Sequence, residues 1–194
     1  MSRTASLARL FDSLAGNWLL LRELQSTHPS DPSGFCHGTA SFSPRDPSPV
    51  INEDGKVEAA TAELLYEEDG HVEVSATVKF AFSKKYVWCL NQQADSGRIS
   101  VWFTKPGTDT IDYIFHKITV DPAKTVKSDH GTVLAIEGSG GHLCVEDFYH
   151  STYTFYLSDS ADNQVGPLFS SFQTVHEVRG PKKDQLITTQ FTRA

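Results

Sequence analysis

Large aromatic and aliphatic residues recur at every second position along most of the chain, which is the spacing of side chains on one face of a β-strand. The first such run covers residues 18–24, and one of its faces carries Trp18, Leu20, Arg22 and Leu24. A guanidinium group is costly in a plain apolar core, because a buried charge needs a partner. We therefore predict that this face lines a pocket for a mostly apolar molecule with one polar end.

The N-terminal segment has a different spacing. Leu7, Leu10, Phe11 and Leu14 share one face of a short amphipathic helix, which should end before Gly16. Beyond it, the alternation predicts roughly nine or ten strands, some of them short or broken. The candidate segments are residues 18–24, 34–43, 62–68, 71–82, 85–91, 98–105, 112–120, 133–137, 142–157, 170–179 and 184–192.

Several connections carry turn signals. Asp69-Gly70 lies between two alternating runs and predicts a hairpin turn, and a second hairpin is expected around residues 94–97. Residues 138–141 contain three glycines and predict a flexible turn, while the proline-rich residues 43–55 suggest a long loop or lid. Residues 180–183 should join the final pair of strands.

No segment alternates strands with long helices, so short antiparallel connections fit throughout. Closing such a sheet removes its exposed edges, and a small barrel has room for packed side chains or for one ligand. The expected fold is therefore all-β: a single antiparallel β-barrel of about 8–10 strands with a short N-terminal helix, formed by residues 1–194 as one domain.

Composition excludes several partners. The net charge of −7 and the lack of a basic stripe argue against nucleic acid and, more weakly, against anionic membranes. No apolar stretch approaches the ~18 residues of a membrane span, and the N-terminus lacks a secretory signal. Three cysteines without paired spacing suggest reduced thiols and a cytoplasmic protein. The sequence leaves the oligomeric state open, with a homodimer as one option.

Short segments spread over nearly the whole chain resemble a lipocalin-like family of unknown function found in fungi and bacteria. The matching pieces are residues 14–18 with Arg22, residues 38–42, 66–70 and 85–88, residues 142–144 with Asp147 and Tyr149, and residues 180–184. The chain departs from the family's pattern at Lys84 and Lys85, where an Arg is expected before Tyr86, and at Gln185, where an aromatic is usual.

The resemblance implies a lipocalin-like barrel and, more loosely, an activity. Some fungal proteins of this kind are similar to hetero-Diels–Alderases of secondary metabolism. Those enzymes join a tropolone-derived quinone methide to a humulene-type sesquiterpene. The resemblance therefore implies a cofactor-independent cyclase acting on apolar small molecules, although a fold alone does not fix a reaction.

Arg22, Tyr66 and Glu68 are the first candidates for catalysis. Arg22 either clamps an acidic oxygen of the ligand or forms an ion pair with Glu68 or Asp147. Tyr66 and Glu68 share a strand face, where Tyr66 can donate to a carbonyl and Glu68 can relay a proton. The alternative for Glu68 is that it flanks the Asp69-Gly70 turn in water.

His142 is the fourth catalytic candidate, as a proton donor in a polar corner with Tyr149, and the alternative is a structural hydrogen-bond network. His142, Cys144 and Asp147 offer metal ligands without a fourth at ligand spacing, so no metal site is predicted. Phosphate-loop and dinucleotide patterns are absent from the sequence, so no cofactor is predicted either.

Further residues are candidates for substrate binding. Tyr86 and Trp88 share one strand face as pocket wall or core, in the same way as Trp18 and Leu20. His116 is a lone histidine that more often belongs to a core or a rim. Lys183 lies in a turn and either is solvated or reaches back across one end of the cavity.

Two functions follow from these residues. The first is a secondary-metabolism cyclase that orients a quinone-methide diene and a terpene alkene for an intermolecular hetero-Diels–Alder reaction. The second is a non-catalytic carrier or sensor of an apolar small molecule. A barrel filled by Trp18, Tyr86 and Trp88 would leave only a scaffold for partner proteins.

Overall fold

The computed structural model describes residues 3–28, 31, 33–51, 55–75, 78–92, 97–128, 131–158 and 167–194. One helix, α1 (Arg3–Asp12), precedes all the strands. The strands in chain order are β1 (Gly16–Ser26), β2 (Gly34–Arg45), β3 (Pro49–Ile51), β4 (Val57–Ala59), β5 (Ala62–Ser75), β6 (Val78–Asn91), β7 (Arg98–Thr104), β8 (Ile111–Val120), β9 (Lys124–Ser128), β10 (Gly131–Cys144), β11 (Asp147–Leu157), β12 (Phe169–Arg179) and β13 (Asp184–Arg193).

The main sheet closes on itself. Its strand order is β11-β12-β13-β1-β2-β5-β6-β7-β8-β10-β9, and β10 also pairs with β11. The ring therefore contains ten antiparallel strands, while β9 extends the sheet beside the first half of β10. Strands β3 and β4 form a separate two-stranded sheet. The predicted all-β barrel with a short N-terminal helix is confirmed.

Helix α1 packs against one end of the barrel. Its apolar side chains Leu7, Leu10 and Phe11, with Leu14 just beyond it, are all buried, as their helical spacing predicted. The indole Nε1 of Trp18 donates to the carbonyl oxygen of Leu14 at 2.9 Å and ties the helix end to β1. The helix therefore lies at the end of the barrel where β1 begins, away from the end where β1 ends and β13 begins.

The predicted hairpin turn at Asp69-Gly70 is wrong, because β5 runs straight through both residues. Gly70 lies opposite Gly38 on β2. A Cβ atom on Gly70 would come within 2.4 Å of the carbonyl oxygen of His37, and one on Gly38 within 2.2 Å of that of Asp69. The glycines therefore allow two backbones to approach closely inside the sheet, and they do not form a turn.

The predicted flexible turn at residues 138–141 is also wrong, since these residues lie within β10. A Cβ atom on Gly138 would come within 2.9 Å of Ile118, and one on Gly140 within 2.6 Å of the His116 ring. These glycines make room for side chains of β8, which packs beside them. The same crowding explains why the sequence looks like a turn while the backbone stays extended.

Other boundaries differ less. The proline-rich segment contains the end of β2 and the start of β3, and β9 lies between the predicted strand segments 112–120 and 133–137, where no strand was expected. Strands β12 and β13 pair as expected across residues 180–183. Residues 93–96, which hold most of the second predicted hairpin turn, and residues 52–54 and 159–166 lie outside the described residues. Within the described part of the chain, no helix is long and apolar enough to cross a membrane.

Candidate functional site

The barrel encloses a cavity of about 130 Å³ that is partly open at the end away from α1. Its wall is mainly aromatic, and the aromatic members are Phe42, Tyr66, Tyr86, Trp88, Phe115, Tyr149, Tyr153, Phe172 and Phe191. The remaining lining residues are Arg22, Glu68, Lys84, Val101, Thr174, His176 and Ile187. Six of the predicted site residues thus lie together on this wall: Arg22, Tyr66, Glu68, Tyr86, Trp88 and Tyr149.

Arg22 and Glu68 form an ion pair inside the cavity. The guanidinium Nη1 and Nη2 donate to the two carboxylate oxygens at 2.9 and 2.7 Å, and Nε donates to Oγ1 of Thr189 at 2.9 Å. The exposed fractions of the two side chains are 10% and 1%. Of the two partners considered for Arg22, the structure selects Glu68; Asp147 instead accepts from the backbone of Lys182.

Glu68 does not flank a turn in water, because β5 carries it into the barrel interior. Tyr66 lies two residues earlier on the same face and donates its hydroxyl proton to Oε2 of Glu68. Burial alone would raise the pKa of Glu68, but the hydrogen bonds and charge of Arg22 outweigh it and lower that pKa. Burial and the adjacent Glu68 charge raise the pKa of Tyr66, so Tyr66 is a hydrogen-bond donor at neutral pH.

Lys84 lies at the open end of the cavity. Its side chain is 46% exposed, and its ammonium nitrogen is 3.9 Å from Oε1 of Glu68. Desolvation by the surrounding protein and repulsion from Arg22 lower the pKa of Lys84, against the attraction of Glu68. Phe82, on the same face of β6, lies under the Arg22 guanidinium at 5.4 Å from its ring centre.

Two buried histidines, one on the cavity wall and one behind it, are neutral hydrogen-bonding groups. His176 lines the cavity, and its Nδ1 is 2.7 Å from the Ser151 hydroxyl oxygen. His116 lies behind the wall, with Nε2 2.6 Å from the hydroxyl oxygen of Tyr153. Desolvation by burial lowers the pKa of His176 to about 3 and that of His116 to about 4.

The remaining predicted site residues do not line the cavity. Trp18 and Leu20 are buried in the core near α1, where Trp18 packs edge-on against Phe172. His142 is half-buried near the open end, with its ring centre 6.3 Å from that of Tyr149. Lys183 is exposed there and donates from Nζ to the hydroxyl oxygen of Tyr149 at 3.1 Å.

Sequence reasoning missed several lining residues. Phe172, Thr174 and His176 alternate along β12, so the same parity rule would have grouped them. Phe115 had no such signal. The register between β7 and β8 shifts by one residue at this point. In a regular strand, Phe115 and the adjacent His116 would point to opposite faces, but the bulge turns both of them inward.

Among the described residues, no group of three or more His, Cys, Asp and Glu side chains is placed to hold a metal ion. The three cysteines are free thiols: Cys36 and Cys89 are buried, and Cys144 is exposed. The groups with which this site can act on a bound molecule are therefore hydrogen-bond donors, the ionised side chains of Arg22, Glu68 and Lys84, and aromatic walls.

Comparisons with known proteins place the chain in a family. Residues 14–193 match the model of a family of unknown function, DUF6314, and the chain belongs to that family. Among solved structures, the S-type phycobiliprotein lyase CPES from Guillardia theta is similar, with a TM-score of 0.55 at 7% sequence identity. That match covers 100% of this chain and 93% of the lyase, and it shows a shared barrel fold. No curated protein matches the sequence significantly.

Proposed function

We propose that this barrel binds one small, mainly apolar organic molecule in its central cavity, with the polar group of the ligand near Arg22, Tyr66 and Glu68. The observation that carries the proposal is an aromatic cavity with one ionised cluster on its wall and one partly open end. Apolar pockets with a few oriented polar groups are the usual form of small-molecule sites. The similar barrel fold of the phycobiliprotein lyase is consistent with this proposal.

The cavity volume sets the scale of the ligand. An engineered apolar cavity of about 150 Å³ accommodates benzene, so a cavity of about 130 Å³ suits a single aromatic ring. Tyr86 and Phe115 stack nearly parallel, with ring centres 5.9 Å apart, and form part of a flat wall for such a ring. A larger molecule would fit only with part of it outside the open end.

Ligand binding is tested by filling the cavity. Val101 is buried on the cavity wall, so Val101→Phe should occupy the space and abolish binding of toluene and benzyl alcohol. Binding is measured by ligand-observed NMR and calorimetry. Thr119→Phe is the matched control, since it adds the same ring on the exposed face of β8 and should leave binding unchanged. Absence of binding to the unaltered protein, or equal loss in both variants, would overturn the proposal.

A second candidate is the cyclase implied by the family resemblance, a hetero-Diels–Alder reaction between a quinone methide and a terpene alkene. The supporting observation is that N–H donors of Arg22 and the O–H donor of Tyr66 lie at the cavity wall, where a developing oxyanion would compete with Glu68, their present acceptor. The two reactants together are several times larger than benzene. The cyclase therefore requires the open end of the barrel to widen.

The cyclase is tested with a hydroxymethyl tropolone precursor and humulene. The unaltered protein should form the fused product faster than buffer and with one regiochemistry. Tyr66→Phe keeps the ring and removes the donor, and it should slow the reaction by about 10²-fold. His142→Ala tests whether His142, near the open end, acts as the expected proton donor in this reaction. Product formation at the buffer rate would exclude this activity and leave the carrier or sensor function in place.

A further inference from the structure

The charges on the cavity wall do not cancel. Arg22, Glu68 and Lys84 are the ionised residues among those that line the cavity, which gives a formal charge of +1. Glu68 already accepts three hydrogen bonds, two from Arg22 and one from Tyr66. The second cation, Lys84, therefore shares a carboxylate that Arg22 already neutralises.

Among the described residues that line the cavity, Glu68 is the only carboxylate. The distance of 3.9 Å from the Lys84 Nζ to Oε1 of Glu68 is longer than a hydrogen bond. The next residue, Lys85, points outward, and its Nζ pairs with Glu67 and Asp109 at 2.8 and 2.6 Å. The adjacent cation at the open end, Lys183, donates to Tyr149. Desolvation by burial, together with repulsion from Arg22, lowers the pKa of Lys84, and the attraction of Glu68 offsets this only in part.

We propose that the ligand is an organic monoanion, a small aromatic carboxylate whose charged group lies against Lys84 and whose ring lies between Tyr86 and the facing cavity wall. This inference rests on the proposed binding function and specifies its ligand class. One surplus positive charge matches one carboxylate. The half-exposed position of Lys84 lets the carboxylate keep part of its hydration while the ring enters the aromatic cavity.

The charge preference is tested with benzoate and benzyl alcohol, which have similar rings but differ in charge. The unaltered protein should bind benzoate at least about tenfold more tightly, as expected for a charge-assisted contact. Lys84→Met should remove this preference and keep the affinity for benzyl alcohol, and Lys84→Arg should retain it. The control Lys85→Met removes an outward lysine and should change neither affinity. Calorimetry at low and at physiological salt gives the dissociation constants of both compounds for the four proteins.

The outcomes separate the two proposals. Equal affinity for both compounds would overturn the anion preference and leave the binding function standing. A preference for benzoate that survives Lys84→Met would overturn the role of Lys84. Failure of both compounds to bind would overturn the ligand class together with the proposed function. Should Lys84→Met fail to fold, the Lys84→Gln variant and the salt dependence of benzoate binding to the unaltered protein decide the same question.

Discussion

A single ion pair, Arg22 with Glu68, dominates the polar chemistry of the barrel interior. Its two side chains come from strands that are not neighbours, since β2 lies between β1 and β5. Small side chains on β2, including Gly38, leave space for the guanidinium to reach across. A buried pair of this kind adds little net stability when intact, but leaves an uncompensated charge when one partner is removed.

We therefore expect Arg22→Met to destabilise the protein by about 3–5 kcal/mol, because Glu68 would stay buried without its cation. The double variant Arg22→Met with Glu68→Leu should recover most of that loss, since it removes both charges. Denaturant unfolding at neutral pH measures the free energies of unfolding. A double variant that is less stable than Arg22→Met alone would contradict this account.

Acid should destabilise the fold through its buried histidines. The pKa of His116 is lowered by burial to about 4, against an ordinary value of 6.5. The unfolded chain therefore binds a proton that the folded state resists, so stability is full above pH ~6.5 and falls as the pH drops toward 4. The stability lost between pH 7.5 and 5 should be smaller in His116→Gln, by on the order of 1 kcal/mol. Parallel denaturant titrations at the two pH values make the comparison, and an equal loss in both proteins would refute it.

At the scale of residues, the sequence predicted part of the cavity lining. Alternation grouped Tyr66 with Glu68 and Tyr86 with Trp88, and all four lie on the cavity wall. The alternation also placed Trp18 on the inner face. Alternation shows only which way a side chain points, and it does not show how far along the barrel the side chain lies. Trp18 is inward at the end covered by α1, so it packs in the core.

Strands in this barrel are longer and more continuous than their sequences suggest. Glycines that look like turn residues instead lie where neighbouring backbones or side chains come close, as at Gly38 and Gly70. A turn and a close approach both require glycine, so local sequence alone does not separate them. The pairing partner decides between them, and that partner lies about 30 residues away in the chain.

Gly70→Ala should destabilise the barrel by about 1–3 kcal/mol, because the new methyl group would meet the carbonyl oxygen of His37 at 2.4 Å. Gly141→Ala is the matched control. Its methyl group would meet the ring of Phe148, which is 47% exposed and can rotate away. Thermal unfolding of both variants tests the difference, and an equal effect would show that the close approach at Gly70 has no special cost.

Helix α1 contributes through packing and not through its own propensity, since ten residues are too few for a stable isolated helix. Phe11 is 1% exposed, so Phe11→Ala should cost about 3–5 kcal/mol of unfolding free energy. Asp12→Ala, one residue later and exposed, should be nearly neutral. Denaturant unfolding of the two variants gives the comparison; similar losses would mean that the helix packs less tightly than described.

The whole molecule is a ring in which each of the ten barrel strands pairs on both sides. The sequence predicted this architecture because alternation, short connections and the absence of long helices agree with one another. It did not predict the size of the cavity. That size depends on how Phe42, Phe172 and Phe191 pack inside the barrel, and the rings of Phe172 and Phe191, which face each other on the paired strands β12 and β13, stack with centres 4.3 Å apart.

The pairing of β1 with β13 has a consequence for biosynthesis. The backbone carbonyl of Asn17 accepts a hydrogen bond from the N–H of Ala194, so this pairing joins two segments that are far apart in the chain. At about 5–20 residues per second, one edge of β1 stays unpaired for roughly ten seconds or more before β13 has been synthesised. Until β13 has been made, the nascent chain is an open sheet in which β1 has an unpaired edge, and chaperones that shield such edges should bind it.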